Sequence, residues 1–186
     1  DALGPRGGRH AFISTVSVYA EPAPPNHDED APLIELADPT TETVDGETYG
    51  GLKVLCGRVV AQRHNDALVI RPTYVVGPYD YTHRFTYWVN RIASGGRVVA
   101  PDLPGYGIQV IDARDQARWI CELLERGESG TFHTVSPPPP FTFDQMLQTI
   151  VEAVGPDGTE IVPVDPAFLV EHHVGNEDLP LWYPGE

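Results

Sequence analysis

The sequence predicts an α/β fold with a largely parallel sheet. Short apolar runs of strand length alternate with longer segments whose apolar residues recur at helical spacing, the pattern of parallel strands joined by crossover helices. With 18 glycines and 19 prolines, the chain should be cut into short elements joined by many loops. Apolar residues make up 41% of the 186 residues, enough to bury a core and to exclude global disorder.

Residues 11–15 (Ala-Phe-Ile-Ser-Thr) read as a short buried strand. The acidic connection 21–47 carries Pro22, Pro24, Pro25, Pro32 and Pro39 and should be irregular. A helix fits 48–64, with Leu52, Leu55, Val59 and Val60 near helical spacing and Arg58 and Arg63 free to face water. Residues 67–71 form a strand stopped by Pro72. A second helix fits 82–93 and ends at Gly95-Gly96. Short strands fit 98–100 and 109–111, and a third helix fits 113–125 with Ala117, Ile120, Cys121 and Leu124 on one stripe. A strand at 131–135 leads into Pro137–Pro140, a rigid extended connector. A fourth helix at 143–154, a strand at 160–164 and a short helix at 166–173 complete the reading.

Charge narrows the function. Twelve basic residues against 27 acidic ones give a net charge of −15. Such a chain repels phosphate backbones and anionic bilayers, so nucleic acid and membrane are not expected partners. No run approaches the ~18 apolar residues of a membrane span, and the first eight residues lack an apolar leader core. With two cysteines and no export signal, a reducing cytoplasm is the expected location. Cys56 and Cys121 are expected to be buried free thiols on helices. His172-His173 with Glu171, and the run His27-Asp-Glu-Asp30, read as solvated surface, and no metal site is expected.

Tyr49-Gly-Gly-Leu-Lys53 carries the most chemistry, and Lys53 is the only lysine among 11 arginines. Residues four apart share a helical face one turn apart. A phenol, with an ordinary pKa of ~10, is a poor base near neutrality, and an adjacent ammonium favours its ionised form. Such a tyrosine can shuttle a proton to or from a hydroxyl or carbonyl. Gly50 and Gly51 cost ~1 kcal/mol each inside a helix, which points to close approach of a ligand or another backbone. Upstream, Ser14-Thr-Val-Ser-Val-Tyr19 puts hydroxyls at a predicted strand end, the edge where open α/β sheets place their sites.

Four motifs, in order, give the chain a resemblance to the extended short-chain dehydrogenase/reductase family of NAD-dependent epimerases and dehydratases. They are Ser14-Thr-Val-Ser-Val-Tyr19, Tyr49-x-x-x-Lys53, Arg71-Pro72 with Gly77-Pro78, and Asp112-Ala-Arg-Asp115. The resemblance covers roughly residues 11–155. It is closest to a subgroup in which Arg-Phe-x-Tyr-Trp, here Arg84 to Trp88, recurs.

The resemblance implies a partial Rossmann-like parallel sheet with the catalytic helix in residues 1–78. It also implies a small α/β substrate lobe in 79–186, with 108–126 returning to the first core. Tyr49 would be the general acid/base. Lys53 would favour the ionised tyrosine and hydrogen-bond the nicotinamide ribose. Thr15, four residues before Tyr19, would hold the reacting oxygen. Pro72, Thr73, Tyr74 and Val75 would meet the nicotinamide end of NAD or NADP. Ser17, Arg84 and Tyr87 would contact a small-molecule substrate. Asp112 and Asp115 are expected to cap the third helix, with Arg114 able to pair with either.

Val16 and Ser17 stand where the family's sugar dehydratases carry an Asp-Glu pair, which disfavours water elimination and leaves epimerase, reductase and dehydrogenase chemistry open. The glycine-rich phosphate loop that opens the family is absent from the chain. The expectation is therefore an N-terminally incomplete piece, inactive without its dinucleotide-binding half. Members often dimerise through the helix bearing Tyr-x-x-x-Lys, which makes a second copy a candidate partner. The alternative reading is a non-catalytic sensor on the same scaffold.

Overall fold

The computed structural model describes residues 8–23, 26–136 and 141–184. Strands and helices alternate as expected: β1 (Ala11–Ile13), a 3-10 turn (Val16–Val18), α1 (Tyr49–Arg63), β2 (Leu68–Pro72) and β3 (Tyr74–Val76) come first. Next come α2 (Arg84–Ala93), β4 (Arg97–Pro101), β5 (Gly107–Ile108), β6 (Val110–Asp112), α3 (Ala113–Glu125) and β7 (Gly130–Thr134). Then follow β8 (Phe141–Thr142), α4 (Phe143–Val154), β9 (Glu160–Val164) and α5 (Pro166–Glu171). The chain divides into two compact units. One takes in the chain up to Val75 together with Ile111–Val135, and the other takes in Val76–Val110 with the chain from Ser136.

The first unit is built on a three-stranded parallel sheet in the order β1-β2-β7. Alternation along β2 sends Leu68 and Ile70 to one face, where they pack with Leu123, Trp119 and Ile120 of α3 and with Phe132 of β7. Phe12, paired with Val69, points to the other face. There Lys53 of α1 stands over its ring at 4.5 Å. Helices thus cover both faces, the arrangement that parallel strands require. A second cluster, Val18, Tyr19 and Val54, joins the 3-10 turn to α1, with Ala23, Ala31 and Leu33 of the acidic connection packed on it.

The second unit pairs β4 with β9 in parallel and β5 with β8 in antiparallel. Its core holds Trp88 and Ile92 of α2 against Phe143, Met146, Leu147 and Ile150 of α4. The Trp88 and Phe143 rings meet edge to face at 5.3 Å. The buried Trp88 indole N–H donates to the Pro180 carbonyl at 2.8 Å, as an interior indole must. Gly95 and Gly96, at φ +73° and +72°, end α2 in the left-handed region that glycine adopts without strain.

Several expectations need correction. α1 buries Gly50, Gly51 and Val54, while Val59 is 48% exposed. The predicted face of Leu52, Leu55, Val59 and Val60 is therefore not the packed one. The stripe on α3 is also displaced: Gln116 and Leu123 are buried, and Ala117 and Cys121 face out. Both thiols, Cys56 and Cys121, are free and exposed rather than buried. β3, β5 and β8 escaped the sequence reading, each too short to show a periodicity of its own, and the strand expected at 109–111 lies at Val110–Asp112. The Pro137–Pro140 connector lies outside the described residues.

Candidate active site

The parallel strands of the first unit end at a common edge, and Thr15 follows β1 there. Thr15 is 9% exposed and caps the 3-10 turn: its Oγ1 accepts the Ser17 N–H at 3.1 Å and donates to Ser17 Oγ at 3.1 Å. The two hydroxyls are thus locked as a pair, with Ser17 on the exposed side.

Tyr49 is the first residue of α1 and 41% exposed. A tight acidic turn holds it there. The Asp45 carbonyl accepts the Tyr49 N–H at 3.0 Å, and the Asp45 carboxylate accepts the N–H groups of Glu47 and Thr48 at 3.0 and 2.9 Å. Donation from the Thr48 backbone and hydroxyl holds the Asp45 carboxyl below its usual range.

The glycines show what the sequence cost foretold. A Cβ on Gly50 would lie 2.1 Å from the Ser17 carbonyl oxygen, and one on Gly51 would lie 2.5 Å from Leu36 Cγ. The close approach to Gly51 is by the Leu36 side chain, and that to Gly50 is by another backbone. The contact at Gly50 seats the first turn of α1 directly on the turn that holds Thr15 and Ser17. One turn further, Lys53 Nζ donates to the Ile13 carbonyl at the end of β1, at 2.6 Å. Thr15, Ser17, Tyr49 and Lys53 are therefore gathered in one neighbourhood of the first unit.

Pro72 ends β2 and is buried. Thr73 N–H donates to the Thr134 carbonyl at 3.3 Å, and the buried Thr73 Oγ1 has no partner. Tyr74 and Val75 open β3 and are half-buried. Arg84 and Tyr87 belong to the second unit. Arg84 Nε donates to Thr82 Oγ1 at 3.2 Å, and the Tyr87 ring packs edge to face on Trp88 at 5.0 Å. Asp112 caps α3 by accepting the Arg114 N–H at 2.8 Å, and its carboxylate grips the Arg114 guanidinium at 3.0 and 2.8 Å. That fork and the backbone bond hold the Asp112 carboxyl down to about 2. Asp115 pairs instead with Arg118 at 3.3 Å.

Sequence reasoning missed a polar cluster beside the site, and reading 27–30 as solvated surface was wrong for two of its residues. Tyr19, 2% exposed, has its hydroxyl 2.5 Å from His133 Nε2 and accepts from Arg71 Nη1 at 2.7 Å. Arg71 also donates to the Glu29 carbonyl at 2.7 Å, and the Glu29 carboxylate accepts the His133 backbone N–H at 2.7 Å. The His27 ring stands edge-on to Tyr19 at 4.4 Å. Burial pushes the Tyr19 hydroxyl up and the His133 imidazole down. For Glu29, burial opposes ionisation, but donation from backbone N–H groups and the nearby imidazole bring its carboxyl below the usual range. Tyr19 and Arg71 lie within the quoted motifs, which were the available signal; the pairing with His133, 114 residues away, left none. Among the described residues, no cluster of three His, Cys, Asp or Glu could hold a metal ion, and no helix is long and apolar enough to cross a membrane.

The sequence profile of the NAD dependent epimerase/dehydratase family matches residues 1–135. No curated protein matches the chain. Among solved structures, the chain is similar to dTDP-4-dehydrorhamnose reductase from Bacillus anthracis str. Ames in complex with NADP, at 19% identity and TM-score 0.64, covering 90% of this chain and 54% of that one. It is similar to UDP-N-acetylglucosamine 4-epimerase from Bacillus cereus, at 18% identity and TM-score 0.62, covering 84% and 53%. It is also similar to UDP-glucose 4-epimerase from Thermus thermophilus in complex with NAD, at 17% identity and TM-score 0.54, covering 96% and 59%. At these identities the likeness is one of fold. The chain spans little more than half the length of each.

Proposed function

We propose, from the premise that this chain belongs to the NAD dependent epimerase/dehydratase family, that it carries the catalytic helix of an NAD(P)-dependent oxidoreductase or epimerase acting on a hydroxyl or keto group of a small molecule. One observation carries the reading: the first turn of α1 sits on the Ser17 backbone through Gly50 while Lys53 reaches the end of β1. That seating supports a site in which the Thr15 and Ser17 hydroxyls, the Lys53 ammonium and Tyr49, at the start of the same helix, serve the edge where parallel α/β sheets bind ligands.

The donor set suits the nicotinamide–ribose end of a dinucleotide. The hydroxyls of Thr15, Ser17 and Tyr49 both donate and accept, Lys53 has N–H bonds beyond the one given to Ile13, and Thr73 Oγ1 is unpartnered. When bound, a nicotinamide supplies the hydride acceptor or donor. In this reading the chain's own residues hold the substrate and move the proton. Thr15 holds the reacting oxygen through its hydroxyl, and Ser17 contacts the same group. Tyr49, 41% exposed, takes the proton from a substrate hydroxyl, or returns it to a carbonyl, at its phenol oxygen. Lys53 supplies positive charge one helical turn away and binds the ribose. The backbone of Pro72, Thr73, Tyr74 and Val75 flanks the nicotinamide. Arg84 and Tyr87 contribute to substrate binding.

Tyr49→Phe keeps the ring and removes the acid/base oxygen. Turnover should fall by about 10²–10⁴-fold, the usual worth of general acid–base catalysis, with cofactor affinity little changed. Unimpaired turnover would overturn the reading.

The chain by itself holds no glycine-rich phosphate loop, so it should bind no dinucleotide tightly. Micromolar binding by calorimetry would contradict that. The exposed Val59 on α1 is compatible with a homodimer formed through that helix; a purely monomeric sedimentation profile of the active enzyme would argue against it. Two free, exposed thiols suit a reducing cytoplasm, and isolation of the native protein with both thiols oxidised would count against that location.

A further inference from the structure

We infer that Arg71, Tyr19, His133 and Glu29 form a directed hydrogen-bond chain that positions the Thr15–Ser17 hydroxyl pair, an inference that rests on the catalytic reading of Thr15. Donor counting fixes the direction of the first link, and the charges at the two ends assign the rest. Arg71 Nη1 has only protons to give, so the Tyr19 oxygen accepts from it at 2.7 Å. In the inferred direction the hydroxyl's own proton goes to His133 Nε2 at 2.5 Å, the tautomer that the Glu29 carboxylate facing Nδ1 favours. The neutral imidazole keeps its proton on Nδ1, which faces the Glu29 carboxylate at 3.9 Å. A fixed cation thus stands at one end of the chain and an anion at the other, each link polarising the next. His27, against the Tyr19 and His133 rings, and Asp28 are the remaining titratable groups that act on it.

The chain is placed to act on Thr15. The 3-10 turn is three residues long, with Thr15 as its first cap and Tyr19 as its last. Pinning the Tyr19 hydroxyl therefore fixes one end of the turn whose other end presents the reactive hydroxyl. The turn is also held from outside, because Ile34 N–H donates to the Val18 carbonyl at 2.8 Å. Arg71 and His133 are register partners on β2 and β7, so the anchor reaches into the sheet. An apolar cluster would cover the sheet at less desolvation cost. Here Arg71 Nε is even left buried without a partner, a cost that a positioning role explains.

Tyr19→Phe retains the packed ring and removes both hydrogen bonds. In the folded chain, amide exchange at Ser17, whose N–H is held by Thr15 Oγ1, should rise about tenfold, the scale of one buried hydrogen bond. The amides of Val69 and Ile70 should hold their protection. Ser17 exchange at the wild-type rate overturns the inference, and so does a uniform rise across the unit, which would mark Tyr19 as general fold support. Nitrogen NMR of the imidazole should show the His133 proton on Nδ1 and a shift at Nε2 in the variant; a proton on Nε2 overturns the direction.

In the active enzyme, Tyr19→Phe should lower kcat about tenfold with KM for the cofactor unchanged. Added to Thr15→Ala, it should cost nothing further. Full turnover in Thr15→Ala sinks the catalytic reading. Loss of turnover in Thr15→Ala with wild-type kcat in Tyr19→Phe sinks the positioning role alone.

Discussion

α1 and α4 are both helices of ordinary length, yet they are built for different ends. α4 opens with a capping box, in which Thr142 Oγ1 accepts the Gln145 N–H and the Gln145 side chain accepts the Thr142 N–H. It buries Phe143, Met146, Leu147 and Ile150 on one face. In α1 the side chain of the cap residue Thr48 takes no helix amide, and the helix buries two glycines and a valine. Packing volume secures α4; absence of volume secures α1, because the missing side chains let a backbone carbonyl reach the helix. A helix whose job is adhesion spends its inward face on large side chains. One that seats its first turn against a neighbouring backbone, as α1 does on Ser17, needs proximity instead.

The largest test of that contrast is removal of volume from α4. Phe143 is fully buried against Trp88, so Phe143→Ala should cost about 3–5 kcal/mol of stability, measured by chemical denaturation. A loss under about 1 kcal/mol would mean that the second unit does not depend on this face.

Addition of volume to α1 is the converse. Gly50→Ala puts a methyl 2.1 Å from the Ser17 carbonyl, backbone against backbone, so one must shift. We expect destabilisation of about 1–3 kcal/mol, the usual cost of overpacking, and a fall in turnover disproportionate to it, since the displaced turn carries Thr15 and Ser17. Gly57→Ala is the control on the same helix, because its Cβ would meet only Phe12 Cε1 at 3.9 Å. Equal behaviour of the two variants would break the contrast.

The same contrast explains what could be read in the sequence. Helices α3 and α4 and strand β9 were legible to the residue, because their limits coincide with Asp112 and Thr142 caps and with apolar periodicity. The limits of α1 were nearly as clear, but its packed face was not, since periodicity counts apolar side chains and glycine contributes none. The Tyr-x-x-x-Lys pair could be singled out from the sequence because two functional groups one turn apart need no tertiary information. The polar chain from Arg71 to Glu29 was opaque, because His133 and Arg71 are far in sequence from Tyr19 and Glu29 and only the sheet brings them together. The exposed cysteines were misread for a related reason: a small apolar side chain suits either face of a helix, and only packing decides.

The smallest test concerns how the two helices begin. α4 starts on neutral groups, Thr142 and Gln145, whereas α1 starts on the ionised Asp45, whose carboxylate takes the amides of Glu47 and Thr48. The Asp45 carboxyl is held below its ordinary value of 3.8 by donation from Thr48. Its stabilisation is therefore fully present above that value and is lost as pH falls through the lower, folded value. As pH falls below about 4, the amide signals of Glu47 and Thr48 should shift together and exchange faster, while those of Gln145 stay level. In Asp45→Asn the acid transition at Glu47 and Thr48 should vanish, because a neutral amide oxygen can still accept but cannot titrate. A parallel acid response at Gln145 would show that the whole fold, and not the start of α1, is yielding.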